Sequence, residues 1–220
     1  MTTNNCVALI PAAGYGTRLG RGPKGLLEIG GKKLLVHLLE TVAPLVNNVL
    51  IGVPEEFRED FKHLEHHNVK IIIGGKTRQE TIEILFQHTS RDIVLIQDAA
   101  RPFTRASSIV QVIEAAATHG AAGLFLDPTV PVAIIEEGFA VKSFSRKNAG
   151  VFQAPQAFRR EVLDNAIKTN QGLQFQSTAE MVLAAGYKLK CIEGDPYNIK
   201  ITNEFDFLMA KKIVMPLMEK

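Results

Sequence analysis

The chain predicts an α/β fold in which a mostly parallel, twisted sheet carries helices on both faces and a β-hairpin arm projects from it. Three observations predict this. Short aliphatic runs, apolar at consecutive positions, recur along the first half as strands covered on both faces do. Segments with apolar residues three and four apart lie between them, and strand alternating with helix reads as a sheet of the Rossmann-like kind. The rhythm breaks after Asp127, where a polar stretch too short for its own core carries prolines, glycines and two β-prone pieces.

Taken in order, strands are expected at 7–10, 49–53, 69–73 and 93–96, with helices over 33–42, 55–66 and 78–87. In the last helix Ile82, Leu85 and Phe86 share a face. A helix over 107–119 follows, its Ser107 and Ser108 suited to capping, and then a strand at 121–125. The arm takes up 128–150, with β-prone 132–135 and 140–144 flanking Glu136-Glu137-Gly138. Helix resumes at 161–168 and 178–185, strand at 188–191, and an amphipathic helix over 203–214 closes the chain. With no internal repeat or linker, 1–220 reads as a single domain with 128–150 as its arm.

The 220 residues are 46% hydrophobic and 22% charged, enough for a buried core. Lys and Arg number 25 against 23 Asp and Glu, and a net charge of +2 leaves no basic excess for coating nucleic acid. No stretch approaches the roughly 18 apolar residues of a membrane span. The opening Met1-Thr-Thr-Asn-Asn-Cys6 lacks the basic and apolar regions of a signal peptide. Cys6 and Cys191 make neither a disulfide framework nor a zinc site, and read as reduced core residues of a cytoplasmic protein. His63, His66 and His67 fall on a polar helical stretch with no acidic partner in register and read as solvent-facing.

The first strand runs into Pro11-Ala-Ala-Gly-Tyr-Gly-Thr-Arg-Leu-Gly-Arg-Gly-Pro-Lys24, a glycine-rich loop at the carboxyl end of a parallel strand, where such sheets bind ligands. Gly14 and Gly16 can present bare N–H groups to an oxyanion. The spacing Gly14, Gly16, Gly20 is one residue too long for a dinucleotide fingerprint, and Pro23 interrupts an early helix. Lys24 sits between Pro23 and Gly25, which breaks the P-loop pattern. What remains is an open loop holding Arg18 and Lys24 against a triphosphate, or else a loop of solvated charges. In the first case each cation binds phosphoryl oxygens and stabilises charge that grows during transfer. Asp98 follows the strand at 93–96, at a neighbouring carboxyl end; facing a triphosphate it would bind Mg²⁺, and otherwise it caps a turn. Gly74-Gly75, with Thr81 in the next helix, allows the close backbone approach that a pyrimidine needs, though a Gly-Gly turn is also common without one.

Pro11-Ala-Ala-Gly14, Gly16, Arg18 and Pro23-Lys24 together resemble the opening of the sugar nucleotidylyltransferases and, among them, the 2-C-methyl-D-erythritol 4-phosphate cytidylyltransferases of isoprenoid synthesis. The resemblance continues in order through Gly74-Gly75-x-x-Arg78-Gln79, Asp98-Ala-Ala-Arg101-Pro102, Ala154-Pro-Gln156-x-Phe158 and Asn198-Ile-Lys200-Ile-Thr202. It implies transfer of CMP from CTP to a polyol phosphate, with pyrophosphate released. 2-C-methyl-D-erythritol 4-phosphate leads as acceptor. Ribitol 5-phosphate or another alditol phosphate is the alternative, as is a nucleotide-binding homologue without turnover.

By the same resemblance Arg18 and Lys24 are catalytic. Pro11, Ala12, Ala13, Gly14, Gly16, Gly74, Gly75, Arg78 and Thr81 bind the nucleotide, with Thr81 in place of the family's serine. Asp98 takes the metal, while Arg101 and Lys200 stand at the acceptor. Arg146 reaches the acceptor's phosphate in a partner subunit through the arm, which implies a homodimer. Val132 and Gln176 occupy acceptor positions where the family has threonine. Ser177, Thr178 and Tyr197 replace aspartate, glutamate and aspartate, and such lost partners for a polyol alter specificity most strongly. Nearer the nucleotide, Gly25, Lys76 and Gln97 replace glutamine, an acid and histidine.

Overall fold

The computed structural model describes residues 5–14 and 22–218. Four strands form its parallel part: β1 (Cys6–Pro11), β2 (Asn48–Val53), β3 (Val69–Ile73) and β4 (Ile93–Ile96). β1 pairs with β2 on one side and β4 on the other, and β3 lies outside β2. Beyond β4 come β5 (Ala121–Leu126), β8 (Val151–Arg159) and β9 (Lys190–Glu193). The sheet order is β3-β2-β1-β4-β8-β5-β9, and only β8 runs against its neighbours. The sequence reading placed no strand over β8. Its register shifts between Gln153 and Gln156, on either side of Pro155, where the proline interrupts an otherwise buried run.

The central strands β1 and β4 are apolar at every position and are covered on both faces. From β1, Cys6, Ala8 and Ile10 pack against α1 (Leu34–Val42) and α3 (Ala106–His119). Val7 and Leu9 point the other way, against α2 (Arg78–Gln87), α4 (Arg160–Thr169) and α5 (Thr178–Ala184). A third cluster joins Leu27, Ile29 and Leu34 to Ile201, Phe207, Ala210 and Val214, and so fastens the segment around Lys24 to the one around Lys200.

Several expected details are corrected. The expected helix over 55–66 is three short turns, Glu55–Phe57, Arg58–Phe61 and Lys62–Leu64, anchored in the core by Phe61 and Leu64. α3 starts one residue early, with Arg105 before it, so Ser107 and Ser108 lie inside the first turn and cap nothing; Gly120, at φ +87°, ends it. Asn203 caps α6 (Glu204–Met209), which passes through a wide π-type turn at Ala210–Val214 into Met215–Met218. Cys6 is buried as expected, but Cys191 is exposed, because β9 is an edge strand with one covered face. His63, His66 and His67 are exposed as expected.

The arm is a separate two-stranded sheet of β6 (Val132–Glu136) and β7 (Phe139–Phe144), with every residue of both strands exposed. Among the described residues, no helix is long and apolar enough to cross a membrane.

Candidate active site

After β1 the chain moves outward through β2 and β3, then returns to add β4 on the other side of β1. Ligands of open α/β sheets bind at such a switch, outside the carboxyl ends of the strands. A cavity of about 550 Å³ lies there, lined by 11–14, 24–25, 75–78, Thr81, 98–100, Lys200 and Thr202.

One wall is the turn from β3 into α2. A methyl group on Gly74 would stand 2.8 Å from Ala13 Cβ and 2.9 Å from Thr81 Oγ1, so glycine lets this turn close on the β1 loop. Thr77 caps α2 by accepting from Glu80 N, while Glu80 Oε2 accepts from the N–H groups of Lys76 and Thr77. Thr81 Oγ1 donates to Thr77 O at 2.8 Å and accepts from Gly75 N at 3.1 Å. Its single proton is therefore spent within the turn, and what Thr81 fixes is the position of Gly75.

The floor is organised by Asp98. Arg78 Nε and Nη2 donate to Asp98 Oδ1 at 3.2 and 3.1 Å, Lys200 Nζ lies 3.0 Å from Oδ2, and Arg101 Nε lies 3.7 Å from Oδ2. Burial alone raises the Asp98 pKa, but the charges of Arg78, Lys200 and Arg101 outweigh it and hold the carboxyl far below its ordinary value. Arg78 also donates to Thr178 Oγ1 at 3.4 Å.

A buried polar chain places Lys200. Gln97 Nε2 donates to Thr104 Oγ1, which donates to Asn198 Oδ1, and Asn198 Nδ2 donates to Ala154 O. Ile201 N donates to Ala100 O, tying the 198–203 segment to the loop that carries Asp98. The carbonyls of Ile201 and Thr202 in turn accept from Lys24 Nζ at 3.3 and 3.5 Å.

Of the residues singled out in the sequence, the cavity brings together Pro11, Ala12, Ala13, Gly14, Lys24, Gly75, Arg78, Thr81, Asp98 and Lys200. Gly74 and Arg101 are not in its lining: Gly74 packs on Ala13 and Thr81, and the largely buried Arg101 reaches the cavity through Asp98. Gln176 is exposed on the loop before α5, and Val132 and Arg146 belong to the arm, where Arg146 Nη1 donates to Thr129 O at 3.2 Å. Gly16 and Arg18 lie outside the described residues.

The donor set decides which cation could be held. Among the described residues no three His, Cys, Asp or Glu side chains cluster, which rules out a site built wholly from such side chains there. Asp98 is ionised and faces the cavity, and three of its roughly four lone-pair sites are taken by Arg78 and Lys200. One carboxylate with room for one more partner fits magnesium, which usually takes one or two carboxylates and draws its other ligands from phosphates and water.

The model of the 2-C-methyl-D-erythritol 4-phosphate cytidylyltransferase family matches residues 6–216. The chain belongs to this family. It is 35% identical over 209 residues to the cytidylyltransferase of that name from Deinococcus radiodurans, covering 94% of this chain and 88% of the relative. The crystal structure of the Thermus thermophilus cytidylyltransferase superimposes with a TM-score of 0.78 at 30% identity, covering 94% of this chain and 98% of that one. A 4-diphosphocytidyl-2C-methyl-D-erythritol synthase structure from Anaerococcus prevotii shares the fold, with a TM-score of 0.84 at 22% identity over 96% and 98% of the two chains. Residues that serve this cytidylyltransferase cleft and that the sequence reading missed are Thr104, Gln153 and Asp206. Gln153 Nε2 donates to the carbonyls of Asp195 and Asn198, and of the three only Asp206 left a trace, the cap spacing Asn203-x-x-Asp206.

Proposed function

We propose that the protein transfers CMP from CTP to 2-C-methyl-D-erythritol 4-phosphate. The observation that carries this reading is the charge of the cavity: among the described residues, Lys24, Lys76, Arg78 and Lys200 line it against one carboxylate, that of Asp98. Such a surplus suits a nucleoside triphosphate beside a second phosphate and suits an uncharged ligand poorly.

The base lies between residues 11–14 and Gly75, and the phosphates lie toward Lys24; Arg18 is the second cation assigned to catalysis by the resemblance. A phosphate oxygen of the acceptor attacks the α-phosphorus in line. The new P–O bond forms as the bond to the bridging oxygen breaks, and pyrophosphate leaves with that electron pair. Because the nucleophile is already an anion, no general base is needed, and catalysis is positioning plus stabilisation of charge on the transferring group. Lys24 supplies that stabilisation, while Lys200 sets the acceptor beside Asp98 and Arg101 acts on it through Asp98. Asp98 would hold magnesium, whose chemistry there is to neutralise phosphate charge.

The arm is proposed to pair with a second copy in the cytoplasm, bringing Arg146 and Val132 to the partner's acceptor. Exposed Ile135, Phe139 and Val141 are the apolar surface that such pairing would cover. Pyrophosphate release from CTP with methylerythritol, ribitol and glycerol phosphates tests the reaction. Release with 2-C-methyl-D-erythritol 4-phosphate alone is expected; release only with ribitol 5-phosphate reassigns the acceptor, and none with any acceptor overturns the reading.

A further inference from the structure

We infer that Asp206 is a positioning residue for Lys24: it clamps Thr202, and the clamped backbone of 201–202 holds the Lys24 ammonium at the rim of the cavity. Asp206 Oδ2 accepts from Thr202 N at 2.7 Å, from Asn203 N at 3.2 Å and from the Thr202 hydroxyl. A capping box needs only the middle one, the N–H of the capping residue Asn203. The two contacts to Thr202 lie one residue upstream and add nothing to the helix end. They act on the segment whose carbonyls accept from Lys24.

The rest of that segment is equally fixed. Ile201 is fully buried among Leu27, Phe103 and Phe207, and its N–H is held by Ala100 O. The charge of Lys24 also reaches Asp206 across Thr202 and adds to the hydrogen bonds that lower the Asp206 pKa against the raising effect of burial. A lysine carries a long stem with much rotamer freedom to lose. Ordering its ammonium in the free enzyme removes that cost from the reaction step, where a small misplacement of the donor is expensive.

This inference rests on the reading that Lys24 acts on the nucleotide, and the experiment separates the two. Saturating pyrophosphate-release rates and thermal midpoints are measured for Asp206→Ala, Lys24→Ala and the double variant. Asp206→Ala is expected to lower kcat about tenfold, the usual size for a residue that orients another. In the Lys24→Ala background the same change is expected to cost less than about twofold, because the group it positions is gone. Asp206→Asn keeps one oxygen acceptor and should recover part of the loss; if Asp206→Ala does not fold, the same comparison is read from Asp206→Asn. Full multiplication of the two losses, or an unchanged kcat in the Asp206 variant, overturns the inference. An unimpaired Lys24→Ala variant instead overturns the reading of Lys24 itself.

Discussion

Lys200 Nζ lies 3.0 Å from Asp98 Oδ2 while Arg78 grips the opposite oxygen, so a single buried carboxylate binds together elements more than a hundred residues apart in the chain. Arg101, with only 11% of its side chain exposed, is the third cation on that carboxylate. Removing the charge leaves a buried guanidinium uncompensated, and Asp98→Asn is expected to cost about 3 kcal/mol of stability near neutral pH. The pH dependence has a definite sign. The Asp98 pKa is depressed in the folded state, so its contribution is complete above the unfolded value and fades as pH falls through that value toward the folded one. Urea denaturation should therefore show a constant gap between wild type and Asp98→Asn from neutral pH down to about 5, narrowing below about 4.

Lys24 is proposed to meet charge that develops on the transferring phosphoryl group. Lys24→Ala should lower kcat by about a hundredfold or more, as the loss of one transition-state donor does, with a smaller effect on the KM for CTP. Steady-state pyrophosphate release checks this, and unchanged turnover would remove Lys24 from the mechanism.

The parallel half of the sheet was legible because both faces are covered, which makes β1, β4 and all of β2 after Asn48 free of polar side chains. Residues 11–14 and Asp98 were legible for another reason: they sit at the carboxyl ends of β1 and β4, where open sheets place their cavities. β8 was hidden because Gln153 and Gln156 are buried for their hydrogen bonds to 195–198 and to Ala179, a polar interior that no periodicity announces. Asp206 was hidden because it acts on Thr202, and the hydrogen bonds from Lys24 to the carbonyls of 201 and 202 span most of the chain.

Gly74 tests the cavity wall. An added methyl would press on Ala13 at 2.8 Å and on Thr81 Cγ2 at 2.9 Å, neither of them the end of a flexible side chain. Gly74→Ala should cost about 1–3 kcal/mol through overpacking. The same push parts the two loops proposed to hold the base, so the KM for CTP should rise by roughly tenfold, while kcat, proposed to depend on Lys24, changes less. Thermal denaturation and steady-state kinetics on one preparation separate the two effects.

The arm tests the second copy. Phe139 is 75% exposed at the tip of the hairpin, with Ile135 at 62% and Val141 at 53%, an apolar run that a lone arm leaves in water. If this surface is an interface, sedimentation should find a dimer, and Phe139→Asp, which buries a charge there, should shift it toward monomer. The acceptor supplies a further readout. In the proposed dimer Arg146 comes from the opposite subunit, so the monomeric variant should lose turnover through a raised KM for the polyol phosphate while CTP binding by calorimetry stays intact. A monomeric wild type with full turnover would place the acceptor's phosphate with Lys200 of the same chain and leave Arg146 without a part in the reaction.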